Sequence, residues 1–456
     1  MQLRIYDGII PIRLSGDTGY IRGCTYYPIS ANPVTLADVV ETCTVTFSGT
    51  PAQILETTRQ IERMFDAARL RNEKQVQRRT YIECRPNVDG DWHRAELRWG
   101  TVDGPSDALR RRLDLTETTV QFALTWQREA TWWGPLTAIP ISNRTSTGTT
   151  SGLRMYNHSD SDAGQDNYAD INSSKVTGTL PTPAYVEWGP PNTGKNWQQI
   201  HLINARFVGP DSFTHMHECE SASGSGGRIS VAAGGGVIGN IASSNAYRQV
   251  QVPAGTTAEF YWETSAVRSA ITLAEGRDCR VLLRLYSHAW GGSTRPAAFV
   301  QVSLRMDNRS YILSASDEIL VPNDSPKLLD LGILQMPEAG GSEVSLVVSV
   351  RTDIAITLGF DFLQIVPTDG YRVWQLGTGF VLNNQVVIDN PHDQLFYKIL
   401  GDGTRTVYPA QPRGTLWLYP DKTQRVYLLA DANAGMYVDY NWLLKLSYRP
   451  RRLTLD

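Results

Sequence analysis

The longest run of helical periodicity lies between residues 50 and 72. Ile54 and Ile61 recur at helical spacing within an apolar stripe, which predicts one buried helix face. Thr50 and Gln53 stand at the spacing of a capping box, in which a hydroxyl and an amide satisfy backbone N–H groups of the first turn. The pattern predicts one long helix that begins just after Thr50 and packs on a sheet.

Elsewhere apolar and polar residues alternate over short stretches, as is typical of half-buried β-strands. The clearest stretch is residues 116–126, where Val120, Phe122 and Leu124 alternate with less apolar positions. Strands precede the helix and more strands follow it. This order predicts an N-terminal α+β domain of the split-barrel type over residues 1–140.

Short strands with turn signals between them recur from residue 221 to residue 368, without a long helical period. This recurrence of short strands and turns predicts a β-sandwich. Residues 141–180 are rich in polar residues and glycine and predict loops, whereas strand patterns recur at residues 184–188 and 199–207 and again between residues 371 and 448. The predicted fold class is therefore mostly β, with one long helix followed by β-sandwich domains.

Composition and charge narrow the classes of function. The 43 basic and 46 acidic residues give a net charge of -3, so the chain lacks the overall positive charge of a nucleic-acid-binding protein. No apolar run approaches the roughly 20 residues of a membrane span, and the first residues show no export signal. We therefore expect no nucleic-acid recognition, no membrane span and no secretion signal. The 5 cysteines are widely spread, which favours free thiols over disulfides.

Two glycine-rich stretches resemble nucleotide-binding loops but lack the chemistry that such loops need. Residues 189–196 end in Asn196, where a Ser or Thr would reach Mg²⁺, and their prolines remove backbone donors. Residues 234–239 do not lead into an amphipathic helix whose N-terminus could bind a pyrophosphate. We expect no cofactor.

His215, His217 and Cys219 would share one face of a strand, which is a geometry that can ligate a metal. One strand would supply only three ligands, and a partly exposed strand is the alternative that we favour, so no metal site is assigned. The sequence contains no G-x-S-x-G motif, and no paired carboxylates stand out. We therefore expect no catalytic residues and no enzymatic activity.

Aromatic residues near a turn of the predicted sandwich are candidates for sugar contact. Tyr286, His288 and Trp290 fall at or within the polar loop that continues to Arg295. An aromatic ring beside polar groups can stack on a sugar, although a tryptophan in a sandwich more often belongs to the core. We take these three residues as the candidate carbohydrate contacts.

Several stretches resemble the distal tail proteins of phages with long, non-contractile tails. The N-terminal domain of that family is similar in three features: early strands, a capped helix, and an end of the domain marked here by Arg128 and Trp133. Residues 157–183 resemble the start of its second, galectin-like domain. Residues 446–451 look like a return to that domain. Leu329 to Gly332 and Phe360 to Pro367 resemble parts of a carbohydrate-binding-module-like jelly roll.

The resemblance implies a galectin-like domain made of residues 141–220 and 369–456, with a jelly roll inserted at residues 221–368. It also implies a structural virion protein, assembled in the host cytoplasm and located in the tail. Family members form rings, usually hexamers, that join the tail tube protein to tail-tip proteins. The inserted sandwich would face outward, where it could meet a host cell-wall polysaccharide. The alternative is a free carbohydrate-binding or adhesin protein without ring assembly.

Overall fold

The computed structural model of this chain describes most of its length. The described residues are 1–15, 21–75, 78–103, 118–142, 144–145, 148–149, 152–156, 167–189, 197–207, 216–226, 228–233, 246–263, 274–290, 297–323, 327–338, 343–375, 386–390, 395–399, 404–407, 411–432 and 438–455.

The described residues of the first part of the chain form one long helix and eight strands. In chain order the elements are β1 (Gln2–Tyr6), β2 (Pro11–Arg13), β3 (Ile21–Thr25), β4 (Val39–Gly49), α1 (Pro51–Asn72), β5 (Tyr81–Arg85), β6 (His93–Asp103), β7 (Thr118–Arg128) and β8 (Trp132–Trp133).

Among its described residues, the middle of the chain is built from strands and two short 3-10 turns, Ser173–Lys175 and Cys219–Ser221. Its first strands are β9 (Thr137–Ile139), β10 (Arg144–Thr145), β11 (Gly148–Thr149), β12 (Leu153–Tyr156), β13 (Tyr168–Ile171), β14 (Thr182–Pro183), β15 (Tyr185–Trp188) and β16 (Trp197–Arg206). Next come β17 (Met216–Glu218), β18 (Ser223–Ser225), β19 (Arg228–Ala233), β20 (Ala246–Val252), β21 (Thr256–Trp262), β22 (Asp278–Ala289), β23 (Ala298–Met306), β24 (Tyr311–Ala315), β25 (Ile319–Leu320), β26 (Lys327–Gln335), β27 (Ser345–Thr352) and β28 (Ile356–Pro367).

The last part of the chain is again all strand among the described residues. It comprises β29 (Gly370–Gln375), β30 (Val386–Asn390), β31 (Leu395–Ile399), β32 (Arg405–Val407), β33 (Gln411–Thr415), β34 (Trp417–Leu418), β35 (Gln424–Ala432), β36 (Val438–Tyr448) and β37 (Arg451–Arg452). The predicted fold class, mostly β with one long helix and β-sandwiches, is confirmed.

The chain forms two compact units, which are described separately. The first unit contains residues 1–137, 177–182 and 449–456, and the second contains residues 138–176 and 183–448. The three-domain division expected from the sequence stays a prediction. It differs from these units at residues 177–182 and 449–456, which the resemblance places in the galectin-like domain but which belong to the first unit. The final strand β37 instead pairs with β8 of the first unit.

In the first unit, one sheet of order β2-β1-β5-β6-β7-β4-β3 carries α1. The predicted capping box is confirmed, with the Thr50 N–H donating to Gln53 Oε1 at 2.9 Å and the Gln53 N–H donating to Thr50 Oγ1 at 3.3 Å. The apolar stripe of α1, including Ile54, Ile61 and Phe65, is buried in the core of this unit. A Cβ at Gly100 in β6 would collide with the Phe65 ring, so this glycine lets the helix lie close to the sheet.

The second unit contains two β-sandwiches. We call the first the carrier sandwich; its sheets have the orders β12-β36-β15-β30-β31-β32 and β13-β35-β16-β29-β33. Its core includes Trp188 and Trp374, whose ring centroids lie 4.5 Å apart in an edge-on arrangement. Both segments that flank the inserted residues contribute strands to it.

The second sandwich is a jelly roll built between β17 and β28. One sheet, with the order β19-β20-β28-β22-β26, contacts the carrier sandwich and is called the docked sheet. The other, with the order β18-β21-β27-β23-β24, is called the outer sheet. Among the described residues, 31 buried side chains form the core between these two sheets, which is ample for an independent fold.

A mixed apolar and ionic junction holds the docked sheet against the carrier sandwich. Leu282, Phe362 and Val366 of the jelly roll pack with Ile203 and Tyr427 of the carrier sandwich. This junction covers one half of the outward face of the docked sheet.

Polar groups surround that apolar contact. The Tyr371 hydroxyl donates to Asp330 at 3.1 Å, and Asp330 also pairs with Arg280. Asp369 pairs with Arg206 at 2.7 Å and also with Arg277. These paired charges, together with the buried side chains, fix the jelly roll on its carrier.

Candidate functional site: the open face of the jelly roll

Along each strand of the docked sheet, successive side chains point alternately into the core and towards the outward face. Val250 and Val252 of β20 and Ile356 and Leu358 of β28 belong to the core. The residues between them therefore point outward. Over β22 and β28 the outward face meets the carrier sandwich at one end, and at the other end it is free of the carrier sandwich among the described residues.

We call this uncovered half the open face. Strand register places its residues in two rows across β19, β20, β28 and β22. The first row is Arg228, Gln251, Thr357 and Ala289, and the second row is Ser230, Gln249, Gly359 and Ser287. Four strands at the usual spacing span roughly 14 Å, so an extended ligand could lie across them.

A glycine and two tyrosines shape the next part of the open face. The rings of Tyr247 and Tyr286 stack with their centroids 4.5 Å apart and their planes 30° apart. A Cβ at Gly359 would come within 2.7 Å of the Tyr247 ring and would also collide with Ser287 Oγ. The absence of a side chain at Gly359 therefore allows the Tyr247 ring to lie flat against the sheet.

Partial burial, followed by the neighbouring Tyr247, raises the pKa of the Tyr286 phenol above its usual value. The phenol stays protonated at neutral pH. Its hydroxyl can therefore donate as well as accept a hydrogen bond.

A groove of about 660 Å³ lies at the first row. Its lining combines apolar walls with a guanidinium, an amide and a hydroxyl: Arg228, Gln251, Val252, Pro253, Ala289, Ala355, Ile356 and Thr357. An apolar cleft with a few polar groups is the usual form of a small-ligand or oligomer-binding site.

Four polar side chains of the open face have no partners within the described part of the chain. Arg228, Gln249, Gln251 and Thr357 make no side-chain hydrogen bond or ion pair to any other described residue. The outer sheet differs, because its charges are paired with one another. Arg305 pairs with Glu259 at 2.9 Å, for example. The open face thus offers donors and acceptors that the protein itself does not use.

The three predicted sugar contacts occupy different environments. Tyr286 lies on the open face, half-buried against Tyr247. Trp290 is only 6% exposed and belongs to the jelly-roll core, while His288 is half-buried with its ring 5.4 Å from the Trp290 ring. The rest of the predicted loop, residues 291–295, lies outside the described residues. Sugar contact by these side chains stays a prediction, and the geometry favours Tyr286.

Two of the three candidate metal ligands, His217 and Cys219, are buried in the jelly roll. Cys219 is fully buried, and burial raises the pKa of its thiol well above the ordinary value. His217 is buried against Trp262, and burial lowers its pKa to about 4. His215 lies outside the described residues. Within the described ranges, no three His, Cys, Asp or Glu side chains form a group that could hold a metal ion.

The two glycine-rich stretches also fall largely or wholly outside the described residues. Residues 190–196 and 234–239 are not described. The expectation of no nucleotide binding there stays a prediction.

Sequence reasoning did not find most of the open face. Gln249 and Gln251 alternate with valines in β20, and this alternation is a signal for an outward polar row. The signal does not say whether a neighbouring sandwich covers that row. Arg228, Tyr247 and Gly359 come from three strands and meet only through the sheet register.

Comparisons with known proteins show similarity to sandwich folds at a low level. An arabinose-bound α-L-arabinofuranosidase has 13% identity and a TM-score of 0.24; the match covers 38% of this chain and 27% of the enzyme, so the chain spans about a quarter of that protein. A structure of carbohydrate-binding modules of the β-sandwich superfamily has 13% identity and a TM-score of 0.23, covering 51% of this chain and 98% of that one.

The third comparison is the enzymatically active domain of tailspike protein 4 of bacteriophage CBA120. It has 10% identity and a TM-score of 0.20, covering 35% of this chain and 21% of that domain. Similarities of this size carry no argument about function. No protein-family model matches the chain, and no curated protein matches it.

A search of the described helices finds none that is both long enough and apolar enough to cross a membrane.

Proposed function

We propose that this protein binds polysaccharide through the open face of its jelly roll. The observation that carries the proposal is the row of unpaired polar side chains beside the stacked Tyr247 and Tyr286 rings. Amide, hydroxyl and guanidinium groups can hydrogen-bond to sugar hydroxyls. Aromatic rings add apolar contact area that ends in a polar group. The proposed activity is binding, without a catalytic step.

The proposal is tested on an array of bacterial cell-wall and capsular polysaccharides with the purified full chain. We expect Tyr286→Ala to lower the affinity roughly three- to tenfold, because one aromatic contact contributes about 0.5–1.5 kcal/mol. Tyr311→Ala is the matched control, since Tyr311 is an exposed tyrosine on the outer sheet, 59% accessible. Equal loss in both variants, or no binding by the unmodified chain, would contradict the proposal.

A second proposed role is that of a ring-forming structural component of a phage tail, located in the virion and assembled in the host cytoplasm. It rests on the resemblance of the first unit to distal tail proteins and on an apolar surface of that unit. A groove of about 770 Å³ is lined by residues of β2, Ile21 of β3 and the first turns of α1. Ile10 at this groove is 58% exposed, and Tyr27 and Val34 are 82% and 88% exposed.

These features fit self-association. Strands β2 and β3 end the sheet of the first unit and are short, and a ring would cover such edges with a neighbouring copy. In this role the partners would be further copies of the chain, a tail tube protein and tail-tip proteins. The sandwich insertion would then present the open face to a host cell-wall polysaccharide.

Light scattering and negative-stain electron microscopy on the full chain test the ring. We expect a closed ring of about 300 kDa, six copies of the 50.7-kDa chain. Ile10→Glu should shift it to smaller species, whereas Val88→Glu, which alters an exposed apolar side chain on a turn of the same unit, should not. A monomer at all concentrations would favour a free carbohydrate-binding protein.

A further inference from the structure

Arg228 differs from the other arginines described in the jelly roll, residues 216–367. Six of those arginines pair with a carboxylate: Arg277 with Asp369, Arg280 with Asp330, Arg284 with Asp361, Arg305 with Glu259, Arg309 with Glu263 and Arg351 with Glu318. The seventh, Arg248, donates to the backbone carbonyls of Cys219, Glu220 and Ala222. Arg228 has no partner among the described residues.

The place of Arg228 in the fold makes this difference chemically relevant. Its side chain lines the groove of the open face together with Pro253, Ala289 and Ala355, and no acidic residue contributes to that lining. An acidic side chain elsewhere on the same outward face, Asp361, is fully buried and already paired with Arg284. The described part of the groove therefore carries one uncompensated positive charge.

We propose that the open face is specific for an acidic polysaccharide, in which a carboxylate or phosphate group of the polymer pairs with Arg228. This inference rests on the proposed polysaccharide binding and adds the class of ligand. A guanidinium presents two parallel N–H donors that match the two oxygens of a carboxylate or phosphate.

The rest of the open face then binds the uncharged part of the polymer. Gln251 and Thr357 follow Arg228 in the same cross-strand row. In the second row, Ser230, Gly359 and Ser287 have small side chains or none, so this part of the sheet surface protrudes little. An extended chain would run across the strands, with its anionic group at β19 and neutral sugar hydroxyls over β20 and β28.

The test uses the full chain and pairs of polymers that differ only in charge. The pairs are polygalacturonate with its methyl ester, and hyaluronan and alginate each with the carboxyl-reduced polymer; poly(glycerol phosphate) separates a phosphate ligand from a carboxylate ligand. Affinity is measured by calorimetry or affinity electrophoresis, at low and high salt. We expect an acidic polymer to bind at least about tenfold more tightly than its neutral partner, with the difference reduced by salt.

Arg228→Gln should remove this preference, whereas Arg351→Gln is the matched control. Arg351 is also an exposed arginine, but it lies on the outer sheet and pairs with Glu318 at 3.0 Å. Both variants lose one positive charge from the same sandwich. Only the first should lower the affinity for the acidic polymer about tenfold, and circular dichroism should show that both remain folded.

Three results would overturn parts of the account, and they are distinguishable. Equal binding of acidic and neutral polymers would end the inference of charge specificity while leaving polysaccharide binding intact. A preference for the acidic polymer that survives Arg228→Gln, or that falls equally in Arg351→Gln, would end the assignment to Arg228. Absence of binding to every polymer, acidic and neutral, would end the proposed function itself.

Discussion

At the scale of single residues, the Glu41 carboxylate organises the core of the first unit. It accepts from Arg128 Nη2 at 2.7 Å, the Tyr26 hydroxyl at 2.7 Å and Trp126 Nε1 at 3.1 Å. The Glu41 and Arg128 side chains are 1% and 0% exposed. Arg128 was recognised in the sequence as part of a family-like pattern, and its structural role is to neutralise this buried carboxylate.

We expect Glu41→Gln to destabilise the first unit by about 3–5 kcal/mol, because Arg128 would be left as a buried charge without a counterion. Urea unfolding, followed by tryptophan fluorescence, measures the change. The control Glu318→Gln breaks a surface pair with Arg351 and should change stability by at most about 1 kcal/mol. A similar, small effect of both substitutions would show that the buried network contributes little.

A second prediction at this scale concerns His201 and the dependence of the free energy of unfolding on pH. It is fully buried in the carrier sandwich, where Nδ1 lies 2.9 Å from the Tyr371 hydroxyl, and burial lowers its pKa to about 4. The unfolded chain takes up this proton near pH 6.5, whereas the folded chain takes it up only near pH 4. Stability is therefore full above pH 6.5 and falls as the pH is lowered from 6.5 towards 4.

By pH 4.5 the loss from His201 should be roughly 2–3 kcal/mol. Urea unfolding of the wild type and of His201→Gln at pH 7.5 and 4.5 measures it. The variant starts less stable, because it lacks the Tyr371 contact, but its stability should depend less on pH. If both proteins lose the same stability over this range, then His201 is not the group responsible.

At the scale of secondary-structure elements, the cap of α1 shows what a local pattern can predict. Thr50 and Gln53 act on backbone groups three residues away, so their role is visible in the sequence. The edge strand β2 begins with Pro11. Proline has no backbone N–H to donate, and this is tolerated at the first residue of an edge strand. Such features depend on neighbours in the chain and need no knowledge of the fold.

Thr50→Ala should cost about 1 kcal/mol in the stability of the first unit, because it removes the hydroxyl that accepts the Gln53 N–H. Thermal or urea unfolding measures this difference. Thr57→Ala is the control within the same helix, since its hydroxyl only donates back to the Gln53 carbonyl. Alanine has the higher helix propensity, and the control should be neutral or slightly stabilising.

The open face was not predictable in the same way. Its strands were expected, and the alternation of Gln249 and Gln251 with valines marks an outward row. Which half of that face remains open depends on where Leu282 and Phe362 meet the carrier sandwich. These contacts join residues far apart in sequence, and short-range patterns do not encode them.

At the scale of the whole molecule, the sequence was sufficient for the fold class, which is mostly β with one long helix and β-sandwiches. The sequence did not show how exposed each predicted sugar contact would be: Trp290 is an aromatic residue that could stack on a sugar, but it is buried in the core. Two further residues of the open face, Tyr247 and Arg228, belong to no sequence motif. Their significance comes from register and from the lack of internal partners.

The central claim is that the open face binds polysaccharide, and hydrogen–deuterium exchange on the full chain tests it most directly. Exchange is compared with and without the polymer that binds most tightly on the array. If polysaccharide binds the open face, hydrogen–deuterium exchange should slow in β19, β20 and the Ser287–Ala289 end of β22. It should not change in β23 and β24 of the outer sheet. Protection confined to the outer sheet or to the first unit would contradict it.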